Sequence, residues 1–112
     1  MYHRCLYARL FLDKLGVNNF NTILSLDTDI VISSLDVNKL FNVNLDGNYA
    51  AGALDIYNVA NNKVELRNAK CLNEQHYINC GVVLFNTKMI RDCHVSSKLL
   101  HYMKNAPSRL YY

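Results

Sequence analysis

Residues 23–32 read ILSLDTDIVI: four apolar or small residues, two aspartates separated by one threonine, then three apolar residues. A buried carboxylate is costly, and a second one beside it costs more. The pair therefore needs a cation, a catalytic task or an exposed strand end. The alternation of a strand puts residues i and i+2 on one side. Read as strand, Asp27 and Asp29 face one way and Thr28 the other. At the carboxyl end of a strand they would project into the crevice where α/β sheets bind ligands. Two repelling carboxylates suit a hard divalent cation with oxygen ligands, magnesium or manganese, that also keeps water or substrate phosphates. Solvated carboxylates at a strand-to-loop junction are the plainer alternative.

Outward from this stretch, the chain reads as alternating helix and strand. In CLYARLFLDKL, residues 5–15, Leu6, Leu10, Phe11 and Leu15 fall near one helical face, and Gly16 follows as a stop. NTILSL, 21–26, is a strand that runs into Asp27. Ser34 is placed to cap a short helical turn, with Leu40 and Phe41 folding back onto the core. GNYAAGALD, 47–55, reads as a second strand. Residues 56–75 are Asn-rich and aperiodic, a long surface excursion. INCGVVLFN, 78–86, is a continuous apolar run of the kind found in the middle of a covered sheet. SSKLLHYMKN, from Ser96, is an amphipathic helix. The order implies an α/β fold.

Composition narrows the classes. The 112 residues suffice for one modest core, 51% are hydrophobic and 19% charged, so the chain is globular rather than disordered. A net charge of +3, without a run of Lys and Arg, argues against a nucleic-acid partner. Cys5, Cys71, Cys80 and Cys93 form no C-x-x-C pair, which disfavours zinc, and free thiols are expected. No leader-like start and no apolar run of ~20 residues is present, so a cytoplasmic protein, or one peripheral at a membrane, is expected. With one proline and four glycines, the chain resembles the middle of a domain.

Two families place an Asp-x-Asp after an apolar strand. DTDIV, 27–31, resembles the first motif of haloacid-dehalogenase-like phosphatases, in which the first aspartate is a nucleophile. Those enzymes need a later acidic pair, and the acids after Asp29 (Asp36, Asp46, Asp55, Glu65, Glu74 and Asp92) are all isolated.

The broader resemblance is to the retaining nucleotide-sugar glycosyltransferases of family 8, the group of glycogenin and bacterial lipopolysaccharide galactosyl- and glucosyltransferases. YARL (7–10), ILSLDTDIVISSLDVNKLFNVNL (23–45), AAGALD (50–55) and YINCGVVLFNTKMIRD (77–92) resemble four of its blocks, in order. The resemblance implies a GT-A-type fold, a Rossmann-like mixed sheet with flanking helices, and a partial domain over residues 1–112 that is incomplete at both ends. The family's uracil-gripping first strand has no counterpart here. Neither has its late His-x-x-Gly-x-x-Lys-Pro segment, which carries the third metal ligand. The implied reaction moves a hexose from a UDP-sugar to a hydroxyl of a glycan, glycolipid or protein acceptor, with retention.

Residue by residue, Asp27 and Asp29 would hold manganese, with magnesium an alternative. Arg9, Thr28, Asn79 and Gly81 join them around the donor, and Asp55 and Asn79 lie near the transferred sugar. Asn86 matches a strand-end asparagine expected to act as a cap. Ile78 and Cys80 depart from the family pattern as packing changes. A catalytically incomplete remnant of such an enzyme is the alternative outcome.

Overall fold

The computed structural model describes residues 4–16, 19–56 and 77–105. Three strands form one sheet: β1 (Thr22–Leu26), β2 (Ala50–Leu54) and β3 (Ile78–Asn86). β3 is central and pairs antiparallel with both neighbours, giving the order β1-β3-β2. The central place expected for 78–86 is therefore found. The mixed sheet is not: among the described residues every pairing is antiparallel. Val83 and Leu84 are consecutive, so they point to opposite faces, and both are buried. Both faces of the sheet are thus covered at this point of β3.

Helices flank the sheet. A tight 3₁₀ helix spans Arg4–Lys14, and its backbone breaks at Phe11 (φ −120°, ψ 34°). This kink changes the face that the periodicity predicts. Leu12 is buried, Leu10 and Phe11 are half-buried, and Leu15 is exposed. Gly16, at φ +71°, supplies the left-handed stop that the sequence suggests. A second 3₁₀ helix, Leu35–Asn42, starts at Ser34, whose hydroxyl accepts from the Asp36 N–H at 3.1 Å. Leu40 and Phe41 do not fold into the core as expected. None of that helix's residues is buried.

Two α-helices follow β3. Asn86 caps α1 (Thr87–Asp92) by accepting from the Met89 N–H at 3.0 Å, the structural role expected of it. A turn at Cys93 and His94 leads into α2 (Val95–Asn105). Ser96 lies inside α2 rather than at its cap. Its fully buried hydroxyl bonds the Leu10 carbonyl at 3.0 Å and the Asp13 carboxylate, tying α2 to the first helix. Thr87, also buried, donates to the Phe20 carbonyl at 2.6 Å, and Arg91 donates to the same carbonyl at 2.9 Å. Each buried hydroxyl is thereby satisfied.

β2 begins three residues later than its sequence suggests. Asp46 and Gly47 both have positive φ (45° and 76°), and the Asn48 N–H reaches the Leu45 carbonyl at 2.7 Å. This is a tight Asp-Gly turn, which needs left-handed backbone at both central positions. Leu45, just before it, is buried. Cys80 and Cys93 are free thiols, as expected. Residues 57–76, with Cys71 and all of the excursion expected over 56–75 except Ile56, lie outside the described residues. Among the described residues no helix is long and apolar enough to cross a membrane.

Candidate functional site

Because both outer strands run opposite to β3, the carboxyl ends of β1 and β2 meet its amino end. Register sets the levels. Leu26 pairs with Val82, and the Asp27 N–H continues the ladder to the Gly81 carbonyl at 2.9 Å. At this point β1 stops. The Ile30 N–H folds back to the Asp27 carbonyl at 3.1 Å, so Thr28 and Asp29 are the two central residues of a tight turn. The strand alternation that would align Asp27 with Asp29 therefore does not apply, and the turn sets their relation. The apolar residues that follow the pair are not buried. Ile30, Val31 and Ile32 are exposed, Val31 to 86%.

Asp27 is the best-held member of the pair. Arg9 reaches it from the first helix, its Nη2 donating to Oδ1 at 2.8 Å. The other arm of the same guanidinium, Nη1, donates to the Cys80 carbonyl at 2.7 Å. One planar fork thus bridges a carboxylate after β1 and a backbone oxygen of β3, a geometry that a lysine's point charge does not reproduce. The ion pair is only partly shielded: the Arg9 side chain is 21% exposed and that of Asp27 42%.

Asp27 Oδ2 lies over Gly81. A Cβ added there would sit 3.5 Å from Oδ2 and 3.0 Å from Asn79 Oδ1. Asn79 Oδ1 is held by the Gly81 N–H at 2.8 Å. Asn79 is exposed, and with its oxygen engaged on the backbone its amide NH₂ points its donors elsewhere. Arg9, Asp27, Asn79 and Gly81 are therefore brought together, with Thr28 and Asp29 exposed beside them.

Asp55 stands apart. Its N–H bonds the Tyr77 carbonyl at 2.9 Å, level with a residue four positions before Gly81. At a strand rise of about 3.4 Å per residue, that is about 14 Å along the strand direction of β3. Asp55 is on the same end of the sheet as Asp27 but outside its cluster. Sequence reasoning missed the Cys80 carbonyl as the second anchor of Arg9. A backbone acceptor carries no residue-type signal.

The donor set suits a hard cation. Asp27 Oδ2 and the Asp29 carboxylate are oxygen donors, and one or two carboxylates completed by water and phosphate oxygens are what magnesium and manganese accept. The close approach at Gly81, which a side chain would fill, keeps Oδ2 accessible. Among the described residues no group of three or more His, Cys, Asp or Glu gathers around a common point.

The sequence places this arrangement in one family. The model of glycosyl transferase family 8 matches residues 1–112, and the chain belongs to that family. No curated protein and no solved structure matches it significantly. Membership makes this a glycosyltransferase-family domain, with a sugar donor and an acceptor implied, and removes support for the phosphatase alternative.

Proposed function

We propose that this chain forms the central part of a GT-A-type domain that transfers a hexose from a UDP-sugar to an acceptor hydroxyl with retention, using Asp27 and Asp29 to hold manganese. The observation that carries the proposal is the convergence of Arg9, Asp27, Asn79 and Gly81 at one end of the sheet. These residues come from three segments, and the family resemblance assigns each of them to the donor. A Rossmann-like completion of the sheet also fits the apolar surface around the second 3₁₀ helix, where Leu35 is 85% exposed.

Bound manganese would neutralise charge that develops on the leaving diphosphate. The chain's own residues do the rest. Asp27 and Asp29 supply carboxylate oxygens. Asn79 offers its amide N–H groups to sugar oxygens, because its own oxygen is engaged by the Gly81 N–H. Gly81 lets the backbone of β3 come close to the ligand. Asp55, further along the same sheet end, faces the transferred sugar and the acceptor. The transition state is oxocarbenium-like, and the hydroxyl attacks on the face from which the diphosphate leaves.

Calorimetric titration with UDP in the presence of manganese tests this reading. The chain is expected to bind UDP, and Asp27→Asn with Asp29→Asn to weaken binding at least about tenfold, about 1.4 kcal/mol. Equal affinity of the double variant would refute the assignment of the carboxylate pair. A catalytically incomplete remnant of such an enzyme is the second reading. It predicts UDP binding without sugar transfer from any UDP-hexose.

A further inference from the structure

We infer that Arg9 is an electrostatic lock on Asp27, which makes cation binding conditional on the arrival of the diphosphate. The inference rests on the manganese and UDP reading above and adds a regulation of that site.

The argument starts from which oxygen is taken. Arg9 Nη2 holds Asp27 Oδ1 at 2.8 Å, while Nη1 is anchored on the Cys80 carbonyl at 2.7 Å. The second anchor matters because it belongs to the frame of β3. The guanidinium is a fixed positive charge, whereas an arginine with one contact would swing aside when a cation approached. A divalent ion on Oδ2 would share one carboxylate with this charge, a few ångströms away across the same carboxyl group.

The charges then decide the order of events. Asp27, Asp29 and Arg9 sum to one negative charge. A free divalent cation would overshoot that sum, with like charges close together. At the effective dielectric of a protein surface such repulsion is worth kilocalories, reduced here because the Asp27 side chain is 42% exposed. A diphosphate brings negative charge to both the cation and the guanidinium. The remaining N–H groups of Arg9 are donors suited to phosphate oxygens. The locked site therefore disfavours the bare ion and admits the ion together with its anion. This is a coupling free energy between two ligands, and it is reciprocal.

The test measures manganese binding, not turnover. Free manganese(II) is counted by its electron paramagnetic resonance signal while manganese chloride is titrated into the full chain, with and without UDP. The wild type is expected to bind manganese weakly alone and at least about tenfold more tightly with UDP. Arg9→Gln removes the charge and, being two bonds shorter than the guanidinium, also gives up the anchor on the Cys80 carbonyl. It is expected to bind manganese alone about tenfold more tightly than wild type and to gain less from UDP. Arg9→Lys keeps the charge but loses the fork that anchors it on the Cys80 carbonyl, and is expected to bind manganese alone with an affinity between those of wild type and Arg9→Gln, a grading that a merely structural role for Arg9 would not produce. Circular dichroism checks that each variant is folded. If Arg9→Gln binds manganese alone no better than wild type while UDP still tightens both, the lock is overturned and the metal site stands. If neither protein binds manganese with or without UDP, the lock and the site reading fall together.

Discussion

Replacing Gly81 with alanine separates the ligand-binding role of this position from its role in the strand. The new Cβ would lie 3.0 Å from Asn79 Oδ1 and 3.5 Å from Asp27 Oδ2. The first distance is too short for an ordinary contact. Asn79 is exposed and flexible, so it rotates off the Gly81 N–H and gives up their 2.8 Å hydrogen bond. A bond of this kind is worth about 0.5–1.5 kcal/mol. Against that, alanine reduces the freedom of the unfolded chain and recovers about 0.4–1 kcal/mol, since the backbone here is ordinary strand. The two effects nearly cancel, and stability is expected to stay within about 1 kcal/mol of wild type by urea denaturation. Binding does not cancel. With Asn79 displaced and the approach to Asp27 Oδ2 narrowed, affinity for UDP with manganese is expected to fall about tenfold, about 1.4 kcal/mol. Gly52→Ala is the control. Its Cβ would press on Ile78 at 3.1 Å and approach the Val82 carbonyl at 3.4 Å, so it is expected to lower stability and leave binding intact. Unchanged UDP affinity in Gly81→Ala, or a loss fully explained by unfolding, would refute the reasoning.

Two further expectations concern the scaffold. Ser96→Ala removes a fully buried hydroxyl that serves both the Leu10 carbonyl and the Asp13 carboxylate. A bond to a charged group carries about 1.5–3 kcal/mol, so a loss of that size is expected in chemical denaturation. The Asp92 carboxyl is held below its ordinary pKa, first by the hydrogen bond from Lys88 and then by the charge of that ammonium. A lowered folded-state pKa contributes stability above the unfolded value, about 3.9, that is lost as pH falls through the folded value. The pair is exposed, so the readable quantity is the titration itself. In Lys88→Met the carbon-13 shift of the Asp92 carboxyl is expected to titrate at a higher pH than in wild type, and an unmoved midpoint would reject the pairing.

The parts of the fold that local chemistry dictates were legible in the sequence. The apolar run 78–86 was readable as a central strand because its length and β-branched content leave few other places for it. Ser34, Gly16 and Asn86 were readable because caps and stops depend on residue type. The 3₁₀ kink at Phe11 was not, since no proline or glycine marks it, and it moved burial from Leu15 to Leu12. The Asp-Gly turn at 46–47 carried a signal that the longer strand reading absorbed. In the site, Asp27 was read correctly as lying at a strand end. Its relation to Asp29 was misread, because alternation was carried two residues past the last ladder bond. The family resemblance grouped Arg9 with Asp27. The reason they meet is a backbone oxygen at Cys80, which no side-chain pattern encodes.

The Arg9 bridge also has a consequence for how the protein reaches its working form. Its two contacts join residues 18 and 71 positions apart in the chain. The helices after β3 need only local contacts to begin forming, but the bridge exists only once β1 has found β3 across the intervening loop. Long-range pairings of this kind form slowly. The guanidinium therefore closes late, and ligand capacity arrives with sheet closure rather than with helix formation. During refolding, ligand capacity is therefore expected to rise together with the strand signal rather than with the helical signal.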